Sequence, residues 1–447
     1  MSPHPAWPRI RNVIGGPGHL WRRRRIRFVL LFLLACLLTL GLEALAEHAI
    51  DSASKTQPGF APSVFELSGV YQTIVASGPA KPVPRFAAVV VLEPSRDPRL
   101  LNICKQRAFL AALLGAVAKL SPTLIVIDKY FGATSCPLEG SSTIALQTTI
   151  REVGRSIPLV VGRRVDVGKR TGTHGPDGWP RLLPALPLAQ DAKIHEGIVN
   201  VDQDTRRLPL GWTVQTDDGR VVWRRTLALE AAQVHDPTLL DKSPRLARLI
   251  RDHQHPYIGF LSLHALETYA TFTTDDIFCA RPEERHRVKA GCPATAPRDT
   301  GYLSGRIALI GEYNMDLDSH FSVVGEVPGY ILQANYVEAL LDGRYFRAVD
   351  GWVNYVAGFL IYLAFHWVLI THHHALQVSA GWRVPLVLLQ ALGWSIAVIV
   401  VTIGLLYLIV VHAGWYVNPS AIGMLALVIK FSELIFTKVP SAEGDHR

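Results

Sequence analysis

The chain has 447 residues, 49% of them hydrophobic, and carries 45 Lys and Arg against 37 Asp and Glu for a formal charge of +8. Much of that excess comes from one block, Arg22 to Arg25 with Arg27. A basic balance with so local a source speaks for membrane topology and against a nucleic-acid partner.

The first apolar run, 28–42 and on to about 46, follows that block directly. A helix needs roughly 20 predominantly apolar residues to cross a bilayer core, and arginines stay on the cytoplasmic side because carrying them across is costly. The layout predicts a cytoplasmic N-terminus over 1–25 and a membrane helix over 26–46. A signal peptide has the same outline, but the run is long and Leu42-Glu43-Ala44-Leu45-Ala46 makes a weak cleavage site. Residues 47–350 are then expected outside the membrane, as one domain long enough for a full core.

Within that domain, 86–92 is a continuous apolar run, the pattern of a strand buried on both faces. Residues 107–120 show helical apolar spacing through Leu110, Leu113, Leu114 and Val117. A second buried strand over 123–127 ends at Asp128, a helix follows over 142–153, and a third strand over 157–161. This alternation implies a parallel sheet with right-handed crossovers. The Gly/Pro-rich 168–187 reads as an irregular loop, and 198–202 and 206–214 as paired strands. Asp217-Asp218-Gly219 turns the chain into 220–225, and a helix follows over 226–234. A buried strand is expected over 306–311 and an amphipathic helix over 329–341, ending at Asp342-Gly343. Three more membrane helices, 352–371, 384–411 and 417–436, precede a short cytoplasmic tail at 437–447. The predicted fold class is α/β: a mostly parallel-sheet extracytoplasmic domain with one N-terminal and three C-terminal transmembrane helices.

Cys36 lies within the first apolar run, whereas Cys104, Cys136, Cys279 and Cys292 all fall in 47–350. An even number outside the membrane is what disulfides require, and an oxidising exterior would maintain them. Four cysteines allow three pairings. Cys279 with Cys292, closing a polar loop, and Cys104 with Cys136, tying two loops together, is the favoured one; four unpaired buried thiols are the other reading.

The motifs resemble a known family. Ser304-Gly305-Arg306-Ile307-Ala308-Leu309-Ile310-Gly311, then Asp316-Leu317-Asp318-Ser319-His320, then Val327-Pro328-Gly329-Tyr330 and Gln333-Ala334-Asn335-Tyr336-Val337-Glu338 through Asp342-Gly343, are similar to the C-terminal signature of the CHASE2 domain. Gly197-Ile198-Val199-Asn200, running through Asp202, Asp204, Arg206-Arg207 and Leu208-Pro209-Leu210, looks like its central motif. Ile125-Val126-Ile127-Asp128 with Tyr130-Phe131 resembles its early strand. The likeness covers roughly residues 60–350. It implies an extracytoplasmic sensory module of bacterial receptors, with one membrane helix before it and three after, in the bacterial inner membrane as a multi-pass protein. Two positions depart from the pattern: Glu93 followed by Pro94 stands where the family tends to carry aspartate, and Gln333 where it tends to carry histidine. Family members commonly continue into a cytoplasmic output domain, and none follows here. The expected function is therefore a sensor that relays an extracytoplasmic signal to a separate partner protein. The alternative is an assembly subunit whose outer domain is a docking platform. Expected partners are membrane lipid, a signalling or envelope protein, a small-molecule ligand and a second copy of the chain, with no nucleic acid.

In open parallel sheets, ligands sit beyond the carboxyl ends of the strands where crossovers diverge. Glu93, Asp128 and the segment 312–320 fall at such ends, and Asp316, Asp318 and His320 alternate, so that an extended loop puts all three on one face. These five candidates would line a small pocket for a cationic or polar ligand, or for a divalent ion. Against that stands the routine use of such carboxylates to cap helices and anchor loops. Arg206 and Arg207 read as solvated or paired with Asp202 and Asp204. No phosphate loop, His-Glu-x-x-His helix, Gly-x-Ser-x-Gly elbow or Cys-x-x-Cys pair is present, so no catalytic residue, enzyme activity or cofactor is predicted.

Overall fold

The computed structural model describes residues 85–91, 102–133, 136–166, 179–188, 193–202, 205–259, 270–288, 292, 300–313, 318–322, 325–349, 356, 404 and 408–416. The chain forms two compact units, Gln57–Ala348 with Leu406–Tyr416, and Met1–Thr56 with Val349–Leu405 and Val417–Arg447. Nearly all described residues belong to the first.

That unit runs β1 (Phe86–Val91), α1 (Ile103–Ala118), β2 (Leu124–Tyr130), α2 (Ser141–Ser156), β3 (Leu159–Arg163), β4 (Val165–Asp166), β5 (Arg181–Leu182), β6 (Ile194–Ile198), β7 (Gly211–Gln215) and β8 (Val221–Arg225). It continues with α3 (Leu227–His235), α4 (Leu239–Lys242), α5 (Pro244–Arg251), β9 (Tyr257–Ile258), β10 (Ala270–Thr273), α6 (Thr274–Cys279), β11 (Ile307–Glu312), β12 (Ser319–Ser322), β13 (Gly325–Pro328), α7 (Gly329–Leu341), β14 (Tyr345–Ala348) and β15 (Trp415–Tyr416).

Six strands make the central sheet in the order β10-β1-β11-β2-β3-β6, and every neighbouring pair is parallel. The pleat sends alternate residues to opposite faces. Val89, Val91, Ile125, Ile127, Ala308 and Ile310 pack under α1, α2 and α6. Phe86, Val90, Leu124, Val126, Ile307 and Leu309 pack under α3 and α7. Helices on both faces are why these strands read as unbroken apolar runs. Smaller sheets, β4-β5-β7-β8 and β15-β14-β9, and the hairpin β12-β13 complete the unit. Two disulfides brace it, Cys104–Cys136 with Cα atoms 5.6 Å apart and Cys279–Cys292 at 5.4 Å.

Two local expectations fail for identifiable reasons. The strands expected over 198–202 and 206–214 do not pair with each other. Ile198 instead ends β6, the sixth strand of the main sheet, and β7 pairs with β5 and β8. Beyond Ile198 the side chain of Asn200 imitates a ladder rung, accepting from the Val165 amide at 2.8 Å and donating to its carbonyl at 3.0 Å. Nor is α7 amphipathic: 11 of its 13 residues are buried. Its polar residues point into the protein and are bonded there. Gln333 donates to the Val199 carbonyl at 3.0 Å, Tyr336 to that of Thr205 at 2.8 Å, and Glu338 accepts from Arg85 at 2.8 Å.

The transmembrane part of the predicted fold, and with it the multi-pass inner-membrane location, is corrected. Among the described residues no helix is long and apolar enough to cross a membrane. The longest, α1 and α2, have 16 residues each, short of the roughly 20 that a bilayer core needs. The segments assigned to spans, 26–46, 352–371, 384–411 and 417–436, lie outside the described residues except at 356, 404 and 408–411. At the end of 384–411 the chain forms a π-helical turn, Ile409–Ala413, which belongs to the α/β unit.

Gly311 shows how tightly α7 is seated on the sheet. A Cβ there would collide with the Cβ of Tyr330 in the first turn of α7. Gly311→Ala should therefore destabilise the unit by about 1–3 kcal/mol, the usual cost of overpacking. A thermal midpoint equal to that of the wild-type chain would show that the helix can shift to make room.

Candidate functional site

The crossovers leaving adjacent strands part company at one place. Those after β1 and β2 lead to α1 and α2 on one face, whereas the connection after β11, which lies between β1 and β2, leads through the β12-β13 hairpin to α7 on the other. Such a divergence opens a crevice at the carboxyl edge of a parallel sheet.

Asp128 stands at that edge. It follows Leu124 and Val126 on the face of β2 that packs under α7, and β2 runs past it to Tyr130 rather than stopping there. Its carboxyl is half-buried and, among the described residues, accepts no hydrogen bond. Burial, and next the neighbouring Asp318 carboxylate, push its pKa up to about 8, against the opposing pull of Lys129. At neutral pH this shift favours the protonated form of Asp128, which can donate a hydrogen bond.

Asp318 opens the β12-β13 hairpin and meets α7 end-on. The Gly329 amide, first in the helix, donates to the Asp318 backbone carbonyl at 2.9 Å. The Asp318 carboxylate occupies the space that a side chain at Gly329 would take. No side chain caps α7, so the positive end of the helix dipole favours this anion. His320 lies 3.2 Å from the Asp318 carboxylate through Nε2. Tyr330, almost wholly buried against Gly311, has its hydroxyl pushed up to about 12 by burial and by Tyr313. Lys129 pairs with Glu312 across the neighbouring strands β2 and β11.

Of the five sequence candidates, the fold brings Asp128, Asp318 and His320 together, while Glu93 and Asp316 lie outside the described residues. Among the described residues no three His, Cys, Asp or Glu are grouped so as to hold a metal ion, so this trio is not a ready-made cation cage. What it offers is a protonated acid beside an anion that is backed by an imidazole.

Against family models, curated proteins and solved structures, the chain has no match. Function must therefore be argued from the residues. Most of the motif positions beyond the trio have structural work. Asn200, Gln333 and Tyr336 tie α7 and β4 to the 199–207 loop, as described above. Arg85 pairs with both Glu338 and Asp342, at 2.8 and 2.7 Å. Arg206 is buried and Arg207 half-buried, and their guanidinium carbons lie 5.7 and 4.9 Å from the Tyr257 ring centroid. Asp202 faces His255 at 3.3 Å, and Asp204 lies outside the described residues. Gly311, Gly329 and Tyr330 stand in the family-like motif, but sequence reasoning gave them no part in the site. The available signal was a glycine in an otherwise apolar buried strand, a mark of close approach by another element.

The raised pKa of Asp128 has a pH signature. Unfolded, the group titrates near 3.8, and folded near 8, so between these values the folded chain holds a proton that the unfolded chain has lost. Its contribution to stability is full below about pH 4 and is lost as the pH rises towards 8. In Asp128→Asn this loss is absent. The melting temperature of the variant should gain on wild type from pH 5 to 8 and keep a constant lead above that, as measured by calorimetry across the range. Parallel pH profiles would mean that Asp128 is ionised throughout.

Proposed function

We propose that this chain is a CHASE2-type sensory protein whose α/β unit binds a small polar or cationic ligand at the carboxyl edge of its sheet and relays the event to a separate partner protein. The observation that carries this reading is the convergence of Asp128, Asp318 and His320 where the connection after β11 departs from its neighbours. A carboxyl that burial favours in its protonated form, near enough to a carboxylate to feel its charge, suits a ligand that presents both an acceptor and a positive or donor group. The two disulfides suit an oxidising compartment, where such a ligand would be met outside the reducing cytosol. Binding rather than turnover is inferred, because among the described residues no nucleophile with an adjoining base accompanies the trio.

The test is thermal. A panel of divalent cations, amines and amino acids should contain at least one member that raises the melting temperature of the wild-type chain. Saturation at about 100 Kd adds about 2.7 kcal/mol to the bound form. The shift should vanish in Asp318→Ala and in His320→Ala. A ligand that stabilises all three proteins equally binds elsewhere, and a panel without effect on wild type leaves the trio only its role at the helix end.

One observation favours the assembly alternative. Ile103, Leu138 and Ile144 are each about half exposed. Each adjoins in sequence a residue tied down there: Cys104 by its bond to Cys136, and Pro137 and Thr143 by the hydrogen bond of 2.8 Å between them. Purification of the full chain with its native partners separates the two readings: a kinase, cyclase or phosphatase supports signalling, whereas envelope proteins support a docking platform.

A further inference from the structure

The segment 408–416 is separated in sequence from the rest of its unit by 349–405, yet it folds back onto that unit. After the π-helical turn Ile409–Ala413, β15 adds in parallel to the edge of β14, with Trp415 opposite Arg347 and Tyr416 opposite Ala348. Gly414 joins the two with φ at 63°. The Arg245 guanidinium fills the space where a side chain would stand and donates to the Gly414 carbonyl. The same carbonyl accepts from the Arg347 amide at 3.0 Å. Arg245 is itself set over the rings of Tyr345 and Phe346, 5.7 and 6.0 Å from their centroids. Otherwise the segment is lightly seated, since Leu408 and Trp415 are 50% and 49% exposed. Among the described contacts, a two-residue strand and one arginine hold this strap.

The strap's partner strand, β14, is the direct continuation of α7. Gly343, with φ at 70°, ends the helix, and the Arg344 amide closes it by donating to the Ala339 carbonyl at 2.8 Å. The other end of α7 abuts Asp318. The carboxyl cluster and the strap therefore stand at the two ends of one uninterrupted stretch, 329–348. Its helix is packed on nearly all sides, so a displacement at one end is carried along it rather than absorbed, because close-packed interiors deform little. Both sequences flanking the strap belong to the other unit.

We propose that 329–348 is the relay of the α/β unit: a change of charge or occupancy at the Asp128–Asp318 cluster shifts the start of α7, and the shift is read out as docking or release of the strap 408–416. This deepens the sensory reading and rests on the cluster being its input. The energetic requirement is only that the two strap states respond differently to the two positions of the helix.

Amide hydrogen exchange on the full chain tests the relay without any ligand. Arg245→Ala removes the latch directly and should speed exchange over 408–416 about tenfold, as loss of one hydrogen bond implies. Asp318→Asn alters the cluster, and Gly329→Ala displaces the carboxylate from the helix end. Each should change strap exchange by at least about threefold, which is within the span of local opening equilibria, while α1 and α2 keep wild-type rates. Asp318→Asn places no new bulk in the fold and answers the question even if Gly329→Ala does not fold. Wild-type strap exchange in Asp318→Asn overturns the relay, as does a change spread uniformly over α1, α2 and the strap. Because the variants act without ligand, a failed relay leaves the ligand test standing, and a failed ligand test leaves this result interpretable.

Discussion

Tyr330 packed on the bare Cα of Gly311 is the contact on which the carboxyl edge of this domain depends. It lets the first turn of α7 descend onto β11. That descent brings the helix end to Asp318, whose charge adds to burial in raising the pKa of Asp128. A residue of any size at 311 would lift the helix and separate the two carboxyls from their shared environment. The far end of the same helix is held by different means. Glu338 is fully buried and meets Arg85, which also reaches Asp342. Burial raises the pKa of Glu338 against the opposing pull of Arg85. Arg85 is itself 38% exposed, so the pair contributes little net stability, but its loss would leave the buried Glu338 carboxyl without its cation.

A buried cation elsewhere works without a carboxylate. Arg107 on α1 is 2% exposed and donates to the carbonyl of Gly132 at 2.5 Å and to the Thr143 hydroxyl at 2.7 Å. Burial lowers its pKa. Together with the Cys104–Cys136 bond it fastens the loop between β2 and α2, so that the crossover after β2 leaves the crevice by a fixed path. The crevice is thus bounded on one side by covalent and charged anchors, and on the other by the packing of a single helix.

Much of the α/β layout was legible, because strands covered on both faces announce themselves as apolar runs; 86–92, 123–127, 157–161 and 306–311 each correspond to a strand of the main sheet. The elements that escaped notice are short ones such as β9, β12 and β15, each two to four residues long, whose existence is decided by distant partners and not by local pattern. Helix α7 has the right ends and the wrong character: its polar residues suggest a solvent face, yet they are satisfied by Val199, Thr205 and Arg85, contacts that lie more than 100 positions away. Of the site, Asp128, Asp318 and His320 were visible as polar groups at strand ends. The glycines that bring them together were not, since a glycine's importance lies in what its neighbour would otherwise strike. The apolar runs assigned to membrane helices are the clearest limit of composition as a guide, for the end of one, at Ile409, belongs to the α/β unit.

Both disulfides lie in the layer of α1, α2 and α6, whose core includes Cys279 and Cys292 at its margin. Among the described residues, the opposite layer, with α3 and α7, has no crosslink. The molecule is consequently stiff on one side of its sheet and held only by noncovalent packing on the other, so thermal fluctuation is partitioned unequally between them. A reducing agent would erase that asymmetry by softening the clamped layer, leaving both faces of the sheet held by packing alone.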